Sequence, residues 1–455
     1  MRPPIQPETA QADLFRARLD QILNLDHELV KLARLIDWRF IEERCGAVYS
    51  DAAGRPPLPT RLMAGLAILK HTYNLSDEAL CDRWVENPYF QFFCGETFFC
   101  HLAPFDRSSM TRWRQRMGEE RLNALLQESL AVAVKTGAAR MSDLSQVVVD
   151  TTVQEKAVMF PTDAKLTDRA RTRLVKMAKR HGIDLRQSYV RVGKLALIMH
   201  QRYAHAKQFG RAKAKLRKLR TYLGRTMREI ERAIEVRPEL NAVFRHELFN
   251  ATRVMEHKRG RRTKNDPPPK YAPIYSLHAP EVECIGKGKA HKPWEFGVKV
   301  SVTTTLKRSP GGQFVLHAQA LPGRPYDGHT LAPVIPGIKA ITGVPIKRII
   351  ADKGYRGGNA PQPYDLRVYI TGQKRGMTDA IKRQMKRRAA VEPVIGHMKT
   401  DHRMGRNFLA HASGDAINAV MAAVGYNFRR LLAWLALWLA WILHTLRARE
   451  NYAVA

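Results

Sequence analysis

The sequence predicts an α/β protein: a mixed β-sheet flanked by helices, preceded by an α-helical N-terminal domain and interrupted by a basic helical insertion. Three observations lead to this prediction. Helix patterns fill residues 1–140, five β-type runs follow between residues 146 and 372, and a highly basic segment separates the first run from the others. Because 455 residues exceed the usual size of one domain, we divide the chain into an N-terminal domain (1–140), a sheet domain (141–430) with an insertion (160–270), and an apolar helix and tail (431–455).

The N-terminal domain shows two clear helix signals. In TRLMAGLAILKHTYNLS, Leu62, Leu66, Leu69 and Tyr73 recur at helical spacing and predict one apolar stripe. The following stretch, SDEALCDRW, begins with Ser76 and two acidic residues, which is typical of an N-cap and a first helical turn. We therefore expect successive amphipathic helices here.

A basic helix is predicted at TRWRQRM, with Ser108 or Ser109 as its cap. Arg112 and Arg116 lie near Trp113 and could contact a DNA backbone, although a solvated, arginine-rich surface would show the same pattern. We assign this helix to DNA binding and expect RLNALLQESLAVAV to form the next amphipathic helix.

The β-type runs predict a mixed sheet. QVVVDTT reads as a buried strand that ends on Asp150. WEFGVKVSVTT alternates apolar and polar residues, KRSPGG makes a turn, and QFVLHAQAL returns, which predicts an antiparallel hairpin. IKRIIADKGY is a further strand that leads into Asp352, and LRVYITG is another.

Charge points to an acidic partner. The chain has 76 Lys and Arg against 42 Asp and Glu, a formal net charge of +34. Residues 165–264 hold 29 of these cations and only 8 acids, so this segment is expected to form basic helices that follow a phosphate backbone; a solvated helical hairpin is the alternative. Nucleic acid, such as double-stranded DNA, is the first candidate partner, and a membrane surface is the second.

A membrane role is not expected. The apolar run from Leu431 to Leu443 has about 13 residues, whereas a membrane-spanning helix needs roughly 20, so we expect it to pack on the protein or on a second subunit. The first residues, MRPPIQPETAQADLF, lack the apolar core of a secretion signal, which favours a cytoplasmic protein. The five cysteines are scattered and do not indicate a disulfide framework or a zinc site.

Three carboxylates are the candidate catalytic and metal-binding groups. Asp150 and Asp352 each end a strand-like run, and they meet if the two strands are parallel neighbours. Glu392 lies on a helix that can cross the sheet. Three carboxylates can hold two Mg²⁺ ions, or Mn²⁺ in their place, and such a pair stabilises both oxygens of an in-line displacement at phosphorus.

Cations near these acids are candidate DNA contacts. In RRAAVEPVIGHMK, Arg388, Glu392 and Lys399 fall on one helix face, and a surface salt-bridge row would give the same pattern. We place Arg388 and Lys399 on DNA phosphates, because cations beside the metals would hinder metal binding.

Three residues that follow Asp352 are assigned to the DNA strand near the scissile phosphate. They are Lys353, Tyr355 and Arg356, and Tyr355 could equally pack against the sheet.

Two further residues affect the assignment. Asp327, in GRPYDGHTL, competes with Asp352 for a place near the metals; we favour Asp352, since Asp327 lies in a Gly/Pro-rich turn and is expected to cap the next helix. Pro393 directly follows Glu392, so either the helix is kinked there or a new helix begins with Pro393 at its first position.

The blocks VVVDTT, IIADKGYRG and RRAAVEPVIGHMK resemble the three catalytic blocks of bacterial insertion-sequence DDE transposases, closest to insertion sequence family five. Arg388, Glu392 and Lys399 match the last block, and Met385 stands at its tyrosine position. The stretch from LPTRLMAGLAILKHTYNLS to FDRSSMTRWRQRMG also resembles the helical N-terminal domain of these enzymes.

The resemblance implies a ribonuclease H-like catalytic domain. It also implies a transposase that binds the terminal inverted repeats of its element, cleaves the DNA strand with metal ions, and transfers the freed 3′-hydroxyl into target DNA. A homodimer or larger assembly is expected, because two element ends must be joined. The alternatives are a ribonuclease H-like nuclease that only cuts, and a non-catalytic DNA-binding repressor derived from a transposase.

Overall fold

The computed structural model describes residues 17–49, 57–257, 270–286, 290–360 and 366–453, with backbone alone for 438–453. The chain divides into two compact units. Unit 1 comprises Met1–Glu155 and Val298–Ala455, and unit 2 is Lys156–Gly297. The predicted N-terminal helices and most of the predicted sheet therefore belong to the same unit, and unit 2 extends beyond the predicted insertion at 160–270.

The helices in the described part of the chain are α1 (Leu19–Ile22), α2 (Glu28–Leu35), α3 (Trp38–Gly46), α4 (Thr60–Thr72), α5 (Asp77–Glu86), α6 (Pro88–Phe93), α7 (Arg107–Lys135), α8 (Asp163–Arg180), α9 (Val190–His205), α10 (Phe209–Val236), α11 (Asn241–Glu256), α12 (Leu331–Thr342), α13 (Asp379–Lys386), α14 (Val391–Thr400) and α15 (His411–Ala453). The strands are β1 (Gln146–Glu155), β2 (Glu283–Gly286), β3 (Trp294–Thr305), β4 (Val315–Leu321), β5 (Arg348–Ala351) and β6 (Arg367–Ile370).

The N-terminal helices form, but two details of their prediction are wrong. Helix α4 is buried on all sides rather than along one stripe, because α3, α7 and α15 pack around it. Ser76 caps α5 as predicted, since its side chain accepts a hydrogen bond from the Ala79 N–H at 3.0 Å. Helix α7 is capped by Asp106, not by Ser108 or Ser109, and it runs on through a kink at Gly118, where φ is +65°.

The sheet of unit 1 has the strand order β4-β3-β1-β5-β6. Strands β3 and β4 form the predicted antiparallel hairpin, and β1, β5 and β6 run parallel. Strand β1 continues to Glu155, so the prediction that it ends at Asp150 is wrong. Its pairing with β5 nevertheless stops at Val148 and Ile350, and Asp150 and Asp352 each come two residues beyond that pair.

The C-terminal helix begins about twenty residues earlier than its apolar run suggested. Helix α15 packs on α2, α4, α7 and β4 of the same unit. Val424, Phe428, Leu431 and Leu435 along it are buried, as expected for a core helix. Among the described residues, no helix is long and apolar enough to span a membrane.

Helices α15 and α4 cross closely at Gly425. A Cβ atom at this position would lie 2.6 Å from the His71 backbone, too close for any real contact. We expect Gly425→Ala to lower the free energy of unfolding by about 1–3 kcal/mol, because one helix must move or strain. Gly396→Ala in α14 is the matched control, since a Cβ there meets nothing within 4 Å. Equal stability of the two variants in chemical denaturation would contradict the close crossing.

Glu128 on α7 is a buried acid in the core of unit 1. It is 5% exposed and accepts a hydrogen bond from the Asp37 N–H at 2.8 Å. Burial raises its pKa from 4.5 to about 7, so the folded protein binds a proton that the unfolded chain releases.

This raised pKa predicts a pH-dependent stability. The stability that Glu128 contributes by binding a proton is fully present below about pH 4.5 and is lost as the pH rises through about 7. The free energy of unfolding falls by about 3 kcal/mol over this range. We expect Glu128→Gln to remove this slope when urea unfolding is measured from pH 4.5 to 8. If the same dependence of stability on pH remains in the variant, other titratable groups cause it.

Unit 2 is a helical unit with its own core. Helices α8, α10 and α11 bury Leu174, Leu223 and Phe244 against one another, and β2 pairs with the first residues of β3. The predicted long basic helices are present; residues 258–269 of the predicted insertion lie outside the described part. Along α10, the face opposite the buried one exposes a basic stripe, which we define as Lys213, Arg217, Arg225, Arg228 and Arg232.

Candidate active site

The segment that carries Glu392 begins as a tight turn. Residues Arg387–Ala390 form a 3₁₀ turn, and α14 starts directly after it at Val391. Glu392 and Pro393 therefore lie in the first turn of a new helix, where the missing N–H of proline costs no hydrogen bond. Of the two alternatives for Pro393, the new helix is found, with proline at its third residue rather than its first.

The three predicted carboxylates meet around one guanidinium. Arg388 Nη2 donates to Asp150 Oδ2 at 3.0 Å and to Asp352 Oδ2 at 3.4 Å, and Arg388 Nη1 lies 3.7 Å from Glu392 Oε1. These acids are separated by about 200 and 40 positions in the sequence, so only the fold brings them together. A simple surface salt-bridge row along one helix does not account for the two aspartates.

The two aspartates are held differently. Asp150 is the more enclosed, with a side chain 15% exposed, and burial raises its pKa although Arg388 and the Thr151 N–H counteract the shift. The nearby carboxylates of Asp352 and Asp327 raise it further. Asp352 follows β5 directly and caps the 3₁₀ turn Lys353–Tyr355 by accepting a hydrogen bond from the Gly354 N–H.

Asp327 is a fourth acid at the site, and its predicted capping role is wrong. Its Oδ1 accepts hydrogen bonds from Thr151 Oγ1 and Lys299 Nζ, both at 2.9 Å, instead of capping a helix. Asp327 Oδ2 and Asp352 Oδ1 flank the same glycine, Gly354. One sequence signal pointed here: Lys299 lies among apolar residues of β3, and a part-buried lysine needs an acidic partner.

The carboxylate oxygens of the site suit a divalent cation, but in this structure they are not arranged around one ion position. All are carboxylate oxygens, the ligands that Mg²⁺ and Mn²⁺ prefer. Within the described ranges, however, no group of three His, Cys, Asp or Glu side chains is placed to hold an ion. The Arg388 guanidinium lies among the three acids instead.

Arg388, one of the predicted DNA contacts, binds the three acids instead, and the other predicted contacts divide into two groups. Arg112, Arg116, Lys353 and Arg356 are exposed and accessible to a ligand, and Lys399 is partly exposed. Tyr355 is only 1% exposed and packs in the main core, so its predicted DNA contact is wrong and the alternative of packing against the sheet holds.

Arg114, the central arginine of the basic helix, is also buried. It pairs with Asp77 at 2.7 Å, so it is not available to contact DNA, unlike the exposed Arg112 and Arg116 on the same helix.

Comparisons with known proteins bear on the family. Residues 17–116 match the family model described as a transposase domain (DUF772). The chain is also 52% identical over 206 residues to the Rhizobium meliloti protein described as uncharacterized protein ORF8 in nfe locus, a match that spans 45% of this chain and 99% of that protein. The chain belongs to the family of this ORF8 protein. Together the two matches support a transposase family, and the family match at residues 17–116 includes most of the N-terminal stretch whose sequence resembles transposases. No solved structure matches the chain significantly.

Proposed function

We propose that the protein is a DDE transposase, closest to insertion sequence family five, that binds the terminal inverted repeats of its element, cleaves the DNA strand and transfers the 3′-hydroxyl to target DNA. One observation carries the proposal: Asp150, Asp352 and Glu392 contact the same guanidinium although they come from three distant segments. The order of the mixed sheet, with the aspartates beyond neighbouring parallel strands, supports a ribonuclease H-like catalytic domain.

The same acids are proposed to hold two Mg²⁺ ions, which Mn²⁺ can replace. Such ions supply charge stabilisation to the entering and leaving oxygens of a displacement at phosphorus. Asp150 and Asp352 would bind from the sheet and Glu392 from α14. Asp327, fixed by Lys299 and Thr151, would keep its carboxylate beside Asp352 and hold that edge of the site in place.

DNA binding is assigned to the exposed cations. The basic stripe of α10 covers about twenty residues, which is about 30 Å of helix and close to one turn of duplex DNA. Lys353 and Arg356 are exposed residues one and four positions after Asp352, where the scissile phosphate would sit, and Arg112 and Arg116 add a further basic surface. The protein would act on DNA in the bacterial cytoplasm, as a dimer or larger assembly that holds two ends.

The basic stripe makes a prediction about salt. Replacing Lys213, Arg217 and Arg228 together with Gln should lower the slope of log affinity against log salt by about 3, because each phosphate contact contributes about 0.9. A matched control replaces Lys179, Arg180 and Arg186, exposed cations of unit 2 that lie outside the stripe. If both triple variants lose the same slope in fluorescence anisotropy, the stripe has no special role.

The activity itself is tested with labelled DNA that carries the element ends proposed to flank the gene. With Mg²⁺ or Mn²⁺, the protein should nick the element end and join a pre-cut end to target DNA. Hydrolysis without joining would instead identify a nuclease. Binding that is equal with a chelator present, without nicking, would identify a DNA-binding repressor.

A further inference from the structure

Arg388 binds the three acids in an unusual way for a structural arginine. Its two contacts with aspartates come from one nitrogen, its contact with Glu392 is 3.7 Å long, and no acid receives a bidentate pair. Its Nε atom is buried without a hydrogen-bond partner among the described residues. Arg114 shows the contrast: two of its nitrogens donate to the two oxygens of Asp77 at 3.0 and 2.7 Å.

The position of this guanidinium has a direct consequence for cation binding. Asp150 Oδ2 and Asp352 Oδ2 are both within 3.4 Å of Arg388 Nη2, so the space between them is filled by that nitrogen. A divalent cation that used these two oxygens would need the same space, and two cations cannot share it. Lys299 cannot take over the role of Arg388, because it is already bound to Asp327 and to the Pro325 carbonyl.

We propose that Arg388 is the resident counter-ion of the acidic cluster, that a divalent cation must displace it to bind, and that the displaced guanidinium then binds a DNA phosphate. This inference rests on the proposed function and adds a regulatory step to the same site. The long contacts and the unpaired Nε make the displacement possible, since the arginine gives up only one hydrogen bond of normal length. A guanidinium that leaves carboxylates is well suited to the oxygens of a phosphate.

The proposal requires metal and DNA to bind cooperatively. Metal frees Arg388 for the phosphate, and a phosphate that holds Arg388 frees the acids for metal. By thermodynamic linkage, each ligand must raise the affinity of the other by the same factor. Without DNA, Arg388 would compete with the metal ion for the acids, so metal would bind more weakly to the free protein than to the DNA-bound protein.

The first experiment measures Mn²⁺ binding to the full chain by electron paramagnetic resonance. Without DNA, Arg388→Gln should bind Mn²⁺ at least about tenfold more tightly than the unchanged protein. Addition of an element-end duplex should tighten binding strongly in the unchanged protein and little in the variant. Lys386→Gln is the matched control. Lys386 is an exposed residue two positions before Arg388, so the substitution removes the same charge outside the acidic cluster and should behave like the unchanged protein.

A second measurement needs no variant. Phenylglyoxal modifies accessible arginines, and mass spectrometry of the peptide that contains Arg388 reports its reactivity. Addition of Mn²⁺ without DNA, at a concentration that saturates the free protein, should raise the modification of Arg388 severalfold, and further addition of duplex should lower it again.

The outcomes distinguish a failure of the counter-ion role of Arg388 from a failure of the proposed transposase function. If Arg388→Gln binds Mn²⁺ no more tightly than the unchanged protein, or if saturating Mn²⁺ leaves the labelling of Arg388 unchanged, the counter-ion role is overturned while the transposase proposal stands. If neither protein binds Mn²⁺ even with duplex present, the metal site fails and both proposals fall.

Discussion

Replacing Glu392 with Gln is expected to abolish DNA strand cleavage while DNA binding, measured without added metal, stays unchanged. Glu392 would supply a charged oxygen to the metal ions, and a neutral amide binds such ions poorly. Loss of several kcal/mol of transition-state stabilisation corresponds to a rate at least about 1,000-fold lower. The side chain is 64% exposed, so this substitution should leave the fold intact. The measurement is single-turnover nicking of a labelled element end.

Asp379→Asn is the control for this experiment. Asp379 is an exposed acid on the preceding helix α13, and its side chain pairs only with its exposed neighbour Lys382 in the described structure. Loss of the same charge there should leave the rate within about twofold, because it lies outside the acidic cluster. If Glu392→Gln cleaves at the normal rate, or fails because it no longer binds DNA, the assignment of Glu392 to metal binding is refuted.

The largest effect on stability is expected at Asp77. Its carboxylate accepts hydrogen bonds from Lys70 and Arg114, whose side chains are only 7% and 6% exposed. Although burial raises the pKa of Asp77, these two cations lower it to about 2. Asp77→Ala would leave two buried positive charges without their partner, which should cost about 3–5 kcal/mol.

Two comparisons test this explanation. Glu78→Ala removes the neighbouring acid, which pairs with Arg107 at 3.3 Å on the open surface, and should cause no measurable loss in urea unfolding. In the unchanged protein, the contribution of Asp77 is present above about pH 4 and is lost as the pH falls toward 2, because its folded pKa lies below the unfolded value of 3.8. Equal losses in the two variants would show that the buried network does not stabilise the fold.

The sequence predicted features that depend on neighbouring residues in the chain. The hairpin of β3 and β4, the strand before Asp352 and the Ser76 cap all follow from local alternation or capping chemistry. Apolar periodicity also located α4, but it could not show that other helices surround that helix, since burial on the far side depends on distant segments.

At the site, the three acids could be predicted from the sequence, but the position of Arg388 among them could not. From the sequence, Arg388 is assigned to DNA phosphates because a cation beside the metals would hinder metal binding, and its spacing within one helix cannot show that distant aspartates are its partners. Asp327 was set aside because its turn residues gave a sufficient local explanation. In both cases the deciding neighbours, Asp150 and Lys299, are more than twenty positions away in the chain.

The length of α15 bears on how copies of such a gene decay. Val424, Phe428 and Leu431 complete the interior that the first helices and the sheet begin, yet they follow all the described strands of that sheet in the chain. A frameshift or premature stop before these codons would leave a polypeptide whose largest apolar surfaces have nothing to cover them. Such a copy should aggregate or be degraded, so a surviving repressor form would have to arise by point substitution at the acids and not by loss of the C-terminus.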